Sequence, residues 1–194
     1  MTALVIGLLL FLGVHSLRTV AAGDGMRSRF IAQRGERAWR GLYSLASAIG
    51  FVLIIWGVGL ARRSPLTLWS PPDWTRPLAS LLTLVSIVLI TAAYVPRNHF
   101  KAWVGHPMVL GVKVWAFAHL LATRTLADLL LFGGFLLWAI WCYRSLRSRD
   151  HAAGRQPVAG EVVRTAITVV VGAALWFAFA YWLHGWLIGV RPFG

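Results

Sequence analysis

The chain has 194 residues, of which 58% are hydrophobic and only 13% charged, with a net charge of +13. A soluble domain carries about 25% charged residues, so the composition excludes a soluble enzyme and makes lipid the solvent. The excess positive charge is not a nucleic-acid surface. Its arginines gather at the ends of apolar runs and in short loops, as cytoplasmic flanks facing anionic lipid do.

A spanning helix needs about 20 mostly apolar residues, and six segments qualify, at approximately 2–22, 40–61, 76–95, 106–123, 126–143 and 162–190. The fold class is therefore all-α, an integral membrane bundle of six transmembrane helices forming one domain over 1–194. The first run lacks a basic stretch before it and carries His15 and Arg18 near its end, so it reads as a retained span rather than a cleaved signal. The basic loop 23–39 alternates Met26, Phe30 and Ile31 with arginines, a pattern that suits a short amphipathic helix at the membrane surface; a solvated charge run is the other reading.

The loop 62–77 holds Pro65, Pro71, Pro72 and Pro77, which end helix continuation there. Trp69, Trp74, Trp103, Trp182 and Trp186 lie near span ends, as an interfacial aromatic belt requires. The fourth span starts at Gly105-His106-Pro107, with proline in the first turn where its missing donor costs nothing. Only Thr123-Arg124-Thr125 links it to the fifth, which predicts a tight antiparallel hairpin. The stretch SLRSRDHAAGRQPVAG reads as a mobile linker, with His151 a solvated loop residue. Cys142 is the single cysteine, so no internal disulfide forms.

Lysines and arginines number five, two and five in 23–40, 96–105 and 144–164, and three, one and one in 62–77, 123–125 and after 190. One face thus holds twelve and the other five. The positive-inside rule puts both termini outside the cytoplasm.

Polar residues inside the spans are the candidate functional groups, because an ionisable side chain in hydrocarbon is costly. His15 and Arg18 share a helix face about 60° apart, and His106 and Lys113 align within roughly 20°. His119 is turned about 140° from His106 and lies about 20 Å further along the axis. His106 belongs to the cytoplasmic boundary, whereas His119 and His184 belong near the outer one. Each has a structural alternative: His106 as an interfacial cap, Lys113 and Arg18 as snorkelling anchors. Neutral imidazole is the usual axial ligand of haem iron and also relays protons near neutral pH. The absence of CxxCH excludes covalent c-type haem. The acids Asp24, Asp73, Asp128, Asp150, Glu36 and Glu161 are scattered, which argues against a di-metal carboxylate site. A noncovalent haem b is the cofactor these residues fit best.

The segments FLGVHSLR, GERAWRGLYSLASAIGFVLIIWG, GHPMVLGVKVWAFAHLLA, LLLFGGFLLWA and LHGWLIGV resemble, in order, those of the NnrU family of bacterial membrane proteins. The resemblance implies an inner-membrane protein associated with denitrification, the respiratory reduction of nitrite and nitric oxide, with reductase components as partners. That family is similar to the zeta-carotene isomerases, membrane enzymes that use haem b. The resemblance to the isomerases implies His15 and His119 as ligands of the haem iron; on the haem reading, Arg18 or Lys113 would pair with propionates. It aligns Ala116 with a cysteine proposed to exchange as ligand, and alanine cannot ligate iron. Haem binding is thus supported more than isomerisation, and a non-enzymatic assembly factor for a respiratory reductase is the third reading.

By depth alone, His119 pairs instead with His184, leaving His15 beside His106. GHPMVLG also resembles the RHP-x-Y-x-G signature of lipid and isoprenylcysteine methyltransferases. Gly105 replaces the arginine and Val109 the tyrosine, and the later glutamate pair is missing. Losing those groups removes what would hold a charged cofactor.

Overall fold

The computed structural model describes all residues except Arg18, Val20, Pro157 and Gly194, and, for residues 21–24, the backbone without the side chains. Its helices are α1 (Thr2–Ser16), α2 (Ala21–Ala61), α3 (Thr75–Tyr94), α4 (His99–Val104), α5 (Pro107–Ala122), α6 (Leu126–Ala152) and α7 (Val162–Ala178). A π-helical turn, Phe179–Leu183, leads from α7 into α8 (His184–Ile188). Among the described residues no strand forms, and one isolated bridge joins Thr67 to Thr125.

Among the described residues four segments are long and apolar enough to cross a bilayer: Gly25–Ala61, Thr75–Tyr94, Leu126–Ala152 and Val162–Ile188. The first and fourth expected spans are apolar but shorter, at 15 and 16 residues. At about 1.5 Å per residue they fall short of a hydrocarbon layer about 30 Å thick. Large apolar side chains stand exposed on the long helices, Val52, Ile55, Trp56 and Val170 among them, the surface that lipid covers.

Several boundaries differ from the expected ones for local reasons. The basic segment after α1 is helical, the first of its two expected readings, and a break at Gly35, at φ 82°, ψ 160°, separates it from the helix of the second span. That conformation is open to glycine and strained for other residues. The fifth span does not end at 143. Helix α6 continues to Ala152, so half of the expected linker is helical and His151 sits in its last turn. Residues 144–152 include leucine and arginine, both good helix formers, and the chain is released only near Gly154, at φ 60°.

The chain packs as two units: Met1–Trp69 with Arg124–Gly134, and Ser70–Thr123 with Phe135–Gly194. In the first, α1 lies on α2 with backbones nearly touching. A Cβ on Gly7 would stand 2.7 Å from the Ile54 nitrogen, and one on Gly50 would stand 2.8 Å from that of Phe11. One on Gly57 would collide with the Leu4 backbone. Small residues permit this approach, which gains dispersion contacts where lipid offers no hydrophobic drive. The Leu66–Leu68 strand-like stretch exchanges backbone hydrogen bonds with Arg124 and Leu126 at 2.8 and 2.9 Å.

In the second unit α3 packs on both α5 and α7. The buried Ser86 Oγ donates to the Gly111 carbonyl at 2.8 Å, across the close α3–α5 contact. Asn98, 1% exposed, joins α3 to α4. Its amide donates to the Ala92 and Val95 carbonyls at 2.8 and 2.6 Å, while Oδ1 accepts from the Lys101 backbone N–H at 2.8 Å. One side chain thus satisfies the end of one helix and the start of the next. The loop and the start of α7 meet at His99, which bonds Thr165 through both its backbone N–H and its Nδ1. Arg97 pairs with Glu161 at 3.0 Å beside it.

Candidate functional site

The histidines singled out in the sequence fall into three settings. His15 lies in the last turn of α1, in the first unit. It is half-buried, its ring 4.2 Å from that of Phe11 and 5.5 Å from that of Tyr43. Its Nδ1 lies 2.7 Å from the Phe11 carbonyl oxygen. A carbonyl only accepts, so Nδ1 carries the hydrogen and Nε2 the lone pair of the neutral ring. Arg18 lies outside the described residues.

His119 and His184 belong to the second unit, and the structure brings them together. Their ring centroids are 6.4 Å apart and their planes 19° from parallel. His119 comes from the last turn of α5, where Nδ1 donates to the Trp115 carbonyl at 2.8 Å. His184 opens α8, and its Nδ1 donates to the Val190 carbonyl at 2.6 Å. Gly189, at φ 75°, ψ 9°, turns the chain so that this carbonyl comes back to the ring. Both rings therefore share the tautomer of His15, with the lone pair on Nε2.

Two local features place this pair. The π turn puts the His184 N–H on the Phe179 carbonyl and the two rings edge to face at 5.7 Å. A π turn adds a residue relative to the α-helical repeat and so rotates the succeeding helix by about 100°. On α5 the four-residue spacing sets the Trp115 ring 5.1 Å from that of His119, and Phe135 meets Trp115 edge to face at 5.5 Å. The half-buried pair is thus flanked by aromatic rings.

His106 does different work. As the residue before α5 it places Nε2 2.8 Å from Asp150 Oδ2, near the end of α6. Asp150 Oδ1 also meets Arg155 at 3.2 Å, and Tyr143 donates to the Val104 carbonyl at 2.9 Å. A cavity of about 250 Å³ opens beside it, bounded by Ala93, Lys101, Gly105, His106, Pro107 and Met108. Lys113 is half-buried further along α5. Sequence reasoning misses two partners here. Asp150 counts in the sequence only as one of the scattered acids. Arg191, whose side chain lies against Gly185 next to His184, counts there only as a loop charge.

Among the described residues no three His, Cys, Asp or Glu side chains gather as a metal-ion site. Apolar helices with oriented histidines define an integral membrane protein of the helical class. The NnrU protein family profile matches residues 3–192, and the chain belongs to that family. No curated protein and no solved structure matches it.

Proposed function

We propose that this chain is a six-span haem b protein of the bacterial cytoplasmic membrane, serving the respiratory reduction of nitrogen oxides. The observation behind this reading is His119, held in the last turn of the apolar helix α5 with Nδ1–H on a backbone carbonyl, the kind of hydrogen bond that orients a metal-ligating imidazole. Haem, when bound, supplies one-electron chemistry whose potential the axial ligands and surrounding polarity tune. The chain's own part is to present the Nε2 lone pair, to fix ring orientation through the Trp115 carbonyl, and to exclude water with Trp115 and Phe179. Lys113 and Arg18 are the cations that the propionates would meet. The short helices α1 and α5 complete the six crossings where the bilayer thins or other residues extend them. Both termini then face away from the cytoplasm, with a reductase of the same membrane as partner.

Ala116 is fully buried on α5 and offers no ligand, which favours electron transfer or sensing over a ligand-exchanging isomerase. The test is haem content: protein purified from haemin-supplemented cells carries roughly one noncovalent haem b per chain. Protein that stays free of haem under those conditions contradicts the reading.

A further inference from the structure

We propose that the cavity beside His106 is a binding site for a phosphate group, on the face that the charge count predicts to be cytoplasmic. The proposal stands apart from the haem reading. The cavity holds about 250 Å³, and Lys101, Gly105, His106, Pro107 and Met108 are among its walls. That is below the range of about 300–1,000 Å³ typical of small-molecule pockets, so it suits a compact group rather than a nucleotide or a polyene. Lys101 comes from α4 and His106 is the residue before α5, and the whole cluster belongs to the second unit.

Charge selects the ligand. Asp150 is the acid of this cluster, and both its oxygens are engaged, Oδ2 with His106 Nε2 at 2.8 Å and Oδ1 with Arg155 at 3.2 Å. Two further cations stand close by. Among the described residues the ion pairs include neither Lys101 nor Arg147. Lys101 Nζ donates to the Ala93 carbonyl at 3.3 Å, a long bond, and Ala93 also bounds the cavity. Arg147 is half-buried, and its Nη1 would lie 3.0 Å from a Cβ placed on Gly105. Gly105, at φ 71°, carries no such atom, so the guanidinium lies against the backbone that bounds the cavity. A half-buried cation without a counter-charge is costly, and a phosphate offsets two cations at once. Lysine meets it as a point charge and arginine as a planar fork. Trp103, 69% exposed, lies two residues from Lys101 on α4, the setting of a ring at headgroup depth. Phosphate is therefore within reach from two sources, a phospholipid headgroup or the dissolved ion.

The experiment uses the full chain, delipidated in a neutral detergent, and three probes: phosphatidylglycerol, diacylglycerol with the same acyl chains, and inorganic phosphate. Lipid binding is read by native mass spectrometry and phosphate binding by isothermal titration calorimetry. Wild type retains phosphatidylglycerol or takes up inorganic phosphate, and it does not retain diacylglycerol. Phosphatidylglycerol bound without uptake of the free ion assigns the headgroup, whereas uptake of inorganic phosphate assigns the dissolved ion. Lys101→Gln and Arg147→Gln each weaken binding of the phosphate probe about tenfold, the loss of one charge-assisted contact. Lys101 is exposed, so its variant reads the site even if the half-buried Arg147 proves necessary for folding, and Lys101→Arg restores most of the binding. Arg63→Gln removes the same charge from the loop 62–77 and leaves binding unchanged. Neither phosphate probe bound by wild type, diacylglycerol retained as well as phosphatidylglycerol, or Lys101→Gln indistinguishable from Arg63→Gln overturns the proposal.

Discussion

Two polar contacts do work that their residue types alone do not announce. Asn98 makes three hydrogen bonds at 2.6–2.8 Å while almost wholly enclosed. Asn98→Ala leaves two carbonyls and one N–H without that partner, at a cost of about 1–3 kcal/mol for each buried group left unsatisfied. A thermal melt in detergent is expected to fall by several degrees, and an unchanged melting temperature would show that water replaces the amide. The His106–Asp150 contact is the second case. Both side chains are largely enclosed, at 23% and 17% exposure, and Arg155 shares the carboxylate. Asp150→Asn removes a charged acceptor and is expected to expose the end of α6 to limited proteolysis near Arg155 while leaving haem content unchanged. Lost haem in that variant would move His106 into the cofactor site.

The long spans are legible in the sequence because hydrocarbon demands long apolar runs, and the chain supplies them in the order expected. Their ends are less so. Leucine and arginine carry α6 through SLRSRDHA as readily as a linker would carry them, and only Gly154 ends the choice. Nor does any side-chain pattern announce the π turn at Phe179–Leu183, since it depends on one extra residue in the hydrogen-bond ladder. A regular α-helix through that segment predicts the wrong rotation for His184. Sequence depth alone allows the pair of His119 with His184, whereas the resemblance points to His15. The glycines divide in the same way: many are present, but only contact shows which ones matter. Gly57→Val drives a side chain into the Leu4 backbone, whereas a Cβ on Gly59 meets nothing within 4 Å. Gly57→Val is expected to cost about 1–3 kcal/mol by overpacking, with Gly59→Val close to neutral. Equal melting temperatures for the two would contradict the α1–α2 packing.

Across the whole molecule, the charge count predicts an orientation and the exposed tryptophans predict a depth. Trp74, Trp103, Trp182 and Trp186 are all more than 60% exposed, as rings lying among lipid headgroups would be. With twelve cations against five, the loop holding Ser70 is expected to face outward and the end of α6 holding Ser148 to face the cytoplasm. Because Cys142 is buried, single added thiols report this cleanly. A membrane-impermeant maleimide labels Ser70→Cys in spheroplasts and Ser148→Cys only after lysis; the reverse pattern inverts the topology.

At this scale the proposed function depends on imidazole nitrogens of a lipid-embedded protein gripping one iron. The direct measurement is the optical spectrum of detergent-extracted wild type, oxidised and then reduced with dithionite, beside His119→Ala. The expected result is a Soret band that sharpens on reduction, with a resolved α band, and its loss or conversion to a high-spin form in the variant. A wild-type spectrum with no Soret band after haemin supplementation, or one that His119→Ala leaves unchanged, would contradict it.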